Sequence, residues 1–68
     1  MNKYYLNDNM QHNGDYEVHE EACKYLPHPE NRIYLGEFSN CAAAVKAAAN
    51  FHDQVNGCKN CATVCHSQ

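Results

Sequence analysis

Short apolar runs separated by polar stretches mark the first part of the chain. Residues 3–6 (KYYL) contain strand-favouring aromatic residues, and residues 16–19 (YEVH) alternate apolar and polar positions, as a half-buried strand does. The polar segment between them ends in Asn-Gly at 13–14, a strong turn signal. The pattern predicts a hairpin with a long polar loop, in which Glu17 and His19 lie on the face opposite the apolar side chains.

A third strand and one helix are predicted to follow. The two prolines of residues 26–29 favour a loop, because proline lacks an N–H and restricts the residue before it. Residues 31–35 (NRIYL) have the β-branched and aromatic content of a strand that Gly36 would end. Ser39 is a good helix N-cap, and the alanine-rich run 39–52 (SNCAAAVKAAANFH) has high helix propensity.

The helix carries an apolar stripe that is expected to pack on the sheet. Its members recur at helical spacing and are Cys41, Ala44, Val45, Ala48 and Phe51 or His52. The sequence therefore predicts one α+β domain over residues 1–68, with a core of about 14–66. In it, one main helix packs on a small antiparallel sheet of about three strands.

The composition indicates that such a core needs additional stabilisation. The chain has 68 residues, no tryptophan and two phenylalanines, and at this length a hydrophobic core contributes a net stability of only about 3–5 kcal/mol. Five cysteines could supply the difference as metal ligands or as disulfides. The N-terminal residues do not resemble a signal peptide, so a cytoplasmic location is expected. This location and the odd number of cysteines both favour metal over a full set of disulfides.

The charge balance bears on the class of partner. The net charge is −3, with five basic and eight acidic residues, and a zinc ion held by three thiolates would make the chain about one unit more negative. Nucleic acid is therefore a disfavoured partner, since it is recognised mainly by positive surfaces. No stretch approaches the roughly 20 apolar residues of a membrane span. We expect a monomer that interacts with an unidentified protein partner.

Two cysteine-containing motifs have the spacing of metal ligands. Cys58 and Cys61 form a C-x₂-C pair, which lets two sulfur atoms bind one zinc ion. Far upstream, His19 and Cys23 form an H-x₃-C pair. Together they make a Cys₃His set, the ligand type of a structural Zn²⁺ site. This set predicts a zinc-stabilised knuckle at the C-terminus, with one pair of ligands where a strand ends and the other where the helix ends.

Other ligand choices remain open in the sequence. Cys65 could replace His19 as the fourth ligand, and His66 is within reach of the same region. Cys41 is expected to be a small buried residue, with a role as ligand or disulfide partner as the alternative. A domain without metal would have disulfides instead, for instance Cys23 to Cys41 and one pair among the three C-terminal cysteines.

The same cysteines allow a catalytic interpretation, which the sequence favours less. A C-x₂-C motif can be a dithiol redox centre, but that motif usually opens a helix, and here it follows one. Cys65 and His66 could form a nucleophile pair, although adjacent terminal residues seldom form a pocket. The sequence thus favours a non-enzymatic protein-interaction or accessory module, with thiol-based redox or methyl-accepting chemistry at a zinc-bound cysteine as the alternative.

The order of motifs resembles a known family. The H-x₃-C pair, the run NRIYLGEF, a helix rich in alanine and the final G-C-x₂-C are similar to the Ada-like zinc-binding module and to short Cys/His-rich bacterial proteins, over residues 14–66. The resemblance implies zinc held by the Cys₃His set. In repair proteins of that family one ligand cysteine accepts a methyl group, and Cys23 is its nearest counterpart here. The chain lacks their basic surface and fused DNA-binding helices, so methyl transfer is a remote implication.

Overall fold

Four strands and one helix make up the fold, which the computed structural model describes for residues 1–67. In chain order they are β1 (Asn2–Asn7), β2 (Tyr16–Glu20), β3 (Arg32–Phe38), α1 (Cys41–Ala48) and β4 (Val55–Gly57). Short 3₁₀ turns lie at Pro29–Asn31 and Thr63–Cys65. The predicted α+β class is confirmed, whereas the predicted number of strands is wrong because β4 is a fourth.

The sheet is mixed and not purely antiparallel as predicted. Its strand order is β3-β1-β2-β4; β1 pairs antiparallel with β2 and β3, and β4 pairs parallel with β2. A parallel pair needs a long crossover connection, which β3 and α1 provide. The sequence of β4, Val-Asn-Gly, contains two residue types that are depleted in strands, so local patterning gave no signal for it.

A β-bulge explains why Gly36 lies inside β3 and does not end it. Tyr4 pairs with Gly36 while Tyr5 pairs with Tyr34, so Leu35 has no direct partner on β1. Gly36 has a φ of 124°, a backbone conformation that favours glycine. The strand continues past this bulge to Phe38, beyond the predicted end.

The helix begins one residue later than predicted and is shorter. Asn40, and not Ser39, is the N-cap, and its side-chain oxygen accepts a 3.0 Å hydrogen bond from the Ala43 N–H. Since α1 ends at Ala48, Phe51 leaves the predicted apolar stripe and is 54% exposed. Within residues 1–67 no helix has the length and apolar character needed to cross a membrane.

One face of the sheet packs against α1 and forms the core. The buried members of this core are Tyr4, Leu6, Val18, Cys41, Ala44, Ala48 and Ala62. Neighbouring residues of a strand point to opposite faces, so His19 faces away from α1 when Val18 faces it. His19 is nevertheless only 2% exposed. The second face of the sheet is therefore also covered at this point, by the segments that carry the cysteines.

A buried carboxylate connects the start of β2 to β4 and to the residue before it. Asp15 accepts hydrogen bonds from Gln54 Nε2 at 2.8 Å, from Asn13 Nδ2 at 3.1 Å and from Asn56 Nδ2 at 3.2 Å. The bond from Gln54, followed by that from Asn56, lowers the pKa of the Asp15 carboxyl below its usual value. The folded state therefore favours the ionised form. The stability that ionised Asp15 contributes to the fold is present above the pKa of an unfolded aspartate, about 3.9. It is lost as the pH falls through the pKa of Asp15 in the folded protein.

We expect Asp15→Asn to lower the urea midpoint of unfolding at pH 7, because an amide cannot accept all three bonds and places a donor against other donors. The matched control is Asp53→Asn, which makes the same change at an exposed position of the same region. Urea titrations followed by far-UV circular dichroism compare both variants with the parent chain. Equal midpoints for the two variants would show that the Asp15 network adds no stability.

Candidate metal centre

Four side chains from the two predicted motifs meet in one cluster. His19 lies in β2, Cys23 follows it in a turn, and Cys58 and Cys61 follow β4. One ligand atom from each of these residues lies within 4.8 Å of the other three. The cluster, named here the Cys₃His cluster, is thus able to hold a metal ion.

Strand pairing brings the two halves of the Cys₃His cluster together. In the parallel pair β2–β4, Val18 is the partner of Gly57, and the Cys58 N–H donates to the Val18 carbonyl at 2.9 Å. Cys58 is thereby placed beside His19. The predicted position of the second pair at the end of the helix is wrong, because β4 separates α1 from Cys58.

Two separations within the cluster have the values expected between ligands of a tetrahedral zinc ion. Cys23 Sγ lies 3.8 Å from Cys58 Sγ and 3.6 Å from His19 Nδ1. With Zn–S near 2.3 Å and Zn–N near 2.05 Å, tetrahedral angles separate two sulfurs by about 3.8 Å and sulfur from nitrogen by about 3.6 Å. A disulfide would require about 2.0 Å between sulfurs, so Cys23 and Cys58 are not bonded to each other.

Each sulfur of the cluster accepts a backbone hydrogen bond. The Glu20 N–H donates to Cys61 Sγ at 3.2 Å, the Tyr25 N–H to Cys23 Sγ at 3.4 Å and the Asn60 N–H to Cys58 Sγ at 3.4 Å. Donors directed at sulfur stabilise the thiolate form, which is the form that binds metal. The backbone is therefore arranged for three negatively charged ligands.

Burial and neighbouring groups shift the protonation equilibria of the cluster. Burial raises the pKa of the Cys61 thiol, the Glu20 N–H lowers it, and the neighbouring Cys23 and Cys58 raise it again. The result is a pKa well above the ordinary value for cysteine. Burial lowers the pKa of His19, which favours the neutral imidazole that can bind metal. A divalent cation bound there would supply the charge that three adjacent thiolates require, and its binding would release their protons.

The two nitrogens of His19 have different surroundings. Nδ1 faces the sulfur atoms, whereas Nε2 lies 3.6 Å from Glu17 Oε1. Carboxylates commonly accompany the outer nitrogen of a metal-binding histidine and fix the orientation of its ring. The alternation of β2 already places Glu17 and His19 on one face, so this partner could have been found from the sequence.

A cleft of about 330 Å³ adjoins the cluster, and His19 and Cys58 form part of its wall. The carboxamides of Asn7, Gln11 and Asn60 form another part of the lining. These residues come from β1, the loop after it and the C-x₂-C turn. Sequence reasoning missed the cleft because its walls are far apart in the chain.

The remaining two cysteines form a disulfide with each other. Cys41, the first residue of α1, is bonded to Cys65 in the second 3₁₀ turn. They therefore contribute no thiolate to the Cys₃His cluster, and the pairing of Cys23 with Cys41 that the sequence suggested is wrong. The third alternate ligand, His66, instead places its Nδ1 3.0 Å from the Gly57 carbonyl oxygen.

The predicted C-terminal knuckle thus differs in detail from the observed one. It consists of the turn from Cys58 to Cys61 and a 3₁₀ turn that the disulfide fastens to α1. Gly57 lies at the closest approach between these parts. A Cβ atom on Gly57 would lie 2.7 Å from Cys65 Cβ and 2.9 Å from the Ala62 carbonyl oxygen.

We therefore expect Gly57→Ala to destabilise the protein by about 1–3 kcal/mol, because backbone atoms would have to move to admit the methyl group. Val64→Ala is the control, since Val64 lies in the same segment and is 93% exposed. The free energy of unfolding from urea titrations is the measurement. A Gly57→Ala protein as stable as the control would contradict the close packing.

Comparison of the chain with protein-family models, curated proteins and solved structures finds no match. The resemblance to the Ada-like module rests on the motifs of residues 14–66 and stays a prediction. What the protein can do must accordingly be argued from the fold and the Cys₃His cluster.

Proposed function

We propose that the chain is a small zinc-binding domain in which the Cys₃His cluster holds one Zn²⁺ in a structural role. The observation that carries the proposal is that the four ligand atoms lie within 4.8 Å of one another and that two of their separations equal the edges of a zinc tetrahedron. Three thiolates and one imidazole are soft or borderline ligands. They favour Zn²⁺ over Mg²⁺ and Ca²⁺, which prefer oxygen.

A structural role follows from the number and origin of the ligands. Four protein ligands complete a tetrahedral shell, so a zinc ion held by all four has no open position for an activated water. The ion would join the turn after β2 to the segment after β4. Structural zinc sites in small domains contribute about 10–16 kcal/mol of apparent binding energy at pH 7. That exceeds what an alanine-rich core of this size supplies.

The wider role that we propose is that of a protein-interaction or accessory module. Tyr25 and Tyr34 are 55% and 51% exposed, and tyrosine is enriched at protein interfaces. The net charge of −3 disfavours a nucleic-acid partner. We propose that the protein is monomeric and cytoplasmic.

A thiol-based reaction at the zinc is the competing function, and it has one observation in its favour. Cys23 and Cys61 are only half-buried, so a small electrophile could reach their sulfur atoms. The backbone hydrogen bonds to all three sulfurs reduce their nucleophilicity and favour the structural role. Iodoacetamide applied to the zinc-loaded protein separates the two functions: a structural shell resists alkylation, whereas a reactive thiolate is labelled rapidly.

Native mass spectrometry tests the metal and the disulfide together. We expect the denatured chain to weigh two hydrogens less than the fully reduced chain, because Cys41 and Cys65 form one disulfide. We expect the native protein to carry one additional zinc ion, because the other three cysteines are free to bind it. A loss of four hydrogens with no metal would contradict the zinc site.

Single substitutions then assign the ligands. Cys61→Ser should abolish stoichiometric zinc binding and lower the thermal midpoint strongly, since it removes one thiolate and leaves a broken site in the fold. The matched control is the double variant Cys41→Ser/Cys65→Ser, which removes two cysteines outside the cluster and should keep one zinc. Zinc content by elemental analysis is the measurement. Equal zinc content in both proteins would exclude Cys61 as a ligand.

A further inference from the structure

The Cys41–Cys65 disulfide lies outside the Cys₃His cluster and has no role in the proposed zinc site. It joins the first residue of α1 to the 3₁₀ turn near the C-terminus, with a Cα–Cα distance of 6.2 Å and a sequence separation of 24. A cross-link over a loop of that length stabilises a fold by restricting the unfolded chain. Its two sulfurs have different environments, and this difference determines how the bond can react.

Exposure distinguishes the two ends of the bond. Cys41 is 6% exposed and belongs to the core, whereas Cys65 is half-buried and follows Val64, which is 93% exposed. Thiol–disulfide exchange begins when a thiolate attacks one sulfur along the axis of the bond, so access decides which sulfur is attacked. An external thiol can therefore reach Cys65 more readily than Cys41.

The position of Cys41 favours its departure as a thiolate. Cys41 follows the N-cap Asn40 and is the first residue of α1. The N-terminus of a helix carries a partial positive charge that stabilises an adjacent anion, which counteracts the cost of forming a thiolate in the core. A more stable thiolate is a better leaving group. The greater exposure of Cys65 and the N-terminus of α1 thus favour the same direction of reaction, in which a thiolate attacks Cys65 and Cys41 is released.

Non-covalent contacts keep the two cysteines together when the bond is open. The Cys65 N–H donates to the Ala62 carbonyl at 2.9 Å, and His66 Nδ1 lies 3.0 Å from the Gly57 carbonyl oxygen. Ser67 N–H donates to Asn56 Oδ1 at 3.0 Å. His66 and Ser67 are therefore hydrogen-bonded to β4 independently of the disulfide. These bonds keep Cys65 near Cys41 for the reverse reaction.

We infer that Cys41 and Cys65 form a thiol–disulfide exchange couple for low-molecular-weight thiols. A thiolate RS⁻ attacks Cys65 Sγ, the Cys65–Cys41 bond breaks, and Cys41 leaves as a thiolate. The product is a mixed disulfide between Cys65 and RS. A second thiolate attacks this mixed disulfide at the sulfur of R and releases the Cys65 thiolate and RSSR. Two thiols are oxidised as one protein disulfide is reduced, and the same steps in reverse restore the bond.

Trapping the mixed disulfide tests the direction of attack. The protein as purified, with its metal, is treated with reduced glutathione, quenched with acid, alkylated and mapped by peptide mass spectrometry. We expect the glutathione adduct on Cys65 in at least about tenfold excess over Cys41, given the difference in access. Adducts divided equally, or found mainly on Cys41, would overturn the inference. Reduction that occurs only in denaturant would overturn it as well.

Two single variants provide a second measurement. In Cys41→Ser the resolving thiol is absent, so glutathione disulfide should convert Cys65 into a stable mixed disulfide. In Cys65→Ser the remaining Cys41 is in the core and should react at least about tenfold more slowly. Equal rates would contradict the proposed asymmetry. Zinc content, measured in the same samples, separates this result from a failure of the zinc site, which the couple does not require.

Discussion

The parallel pairing of β4 with β2 is the constraint on which the candidate site depends. Only three residues pair in this way, yet they set Gly57 opposite Val18 and thus place Cys58 beside His19. The crossover through β3 and α1 makes this pairing geometrically accessible, and α1 covers the face of the sheet that the Cys₃His cluster does not. The crossover from β2 to β4 therefore determines both the fold and the position of the candidate site.

The C-terminal segment is held at two points by different chemistry. The disulfide ties Cys65 to α1, and a metal ion in the Cys₃His cluster, as proposed, would tie Cys58 and Cys61 to β2. Between them lies a core composed largely of alanine, which removes little apolar surface from water. Two cross-links over such a core are consistent with the size of the chain, since small domains commonly need metals or disulfides for stability.

The division of five cysteines between a metal cluster and a disulfide also bears on redox chemistry. Zinc bound as proposed would protect the three thiolates, so oxidation and reduction could act on Cys41 and Cys65 while the cluster stays intact. Burial of Cys58 at 1% exposure would add to this protection. The protein thus places three thiols in a candidate metal site and two sulfurs in a separate disulfide.

Local signals in the sequence were sufficient for part of this account. The Asn13-Gly14 turn, the strands with alternating residues and the alanine-rich helix were predictable, because each depends on residues close in the chain. The spacing of the two motifs selected the four residues that the fold brings together. In contrast, two of the three residues of β4 are depleted in strands and give no local signal for it, and the Cys41–Cys65 pairing depends on how the tail returns to α1. Neither could be read from spacing alone.

Zinc K-edge X-ray absorption on the native protein tests the central claim most directly, because it counts the ligands of the ion itself. The account predicts three sulfur neighbours at about 2.3 Å and one imidazole nitrogen at about 2.0–2.1 Å. A shell of four sulfurs, or of two sulfurs with two lighter atoms, would contradict the assignment of the ion to His19, Cys23, Cys58 and Cys61.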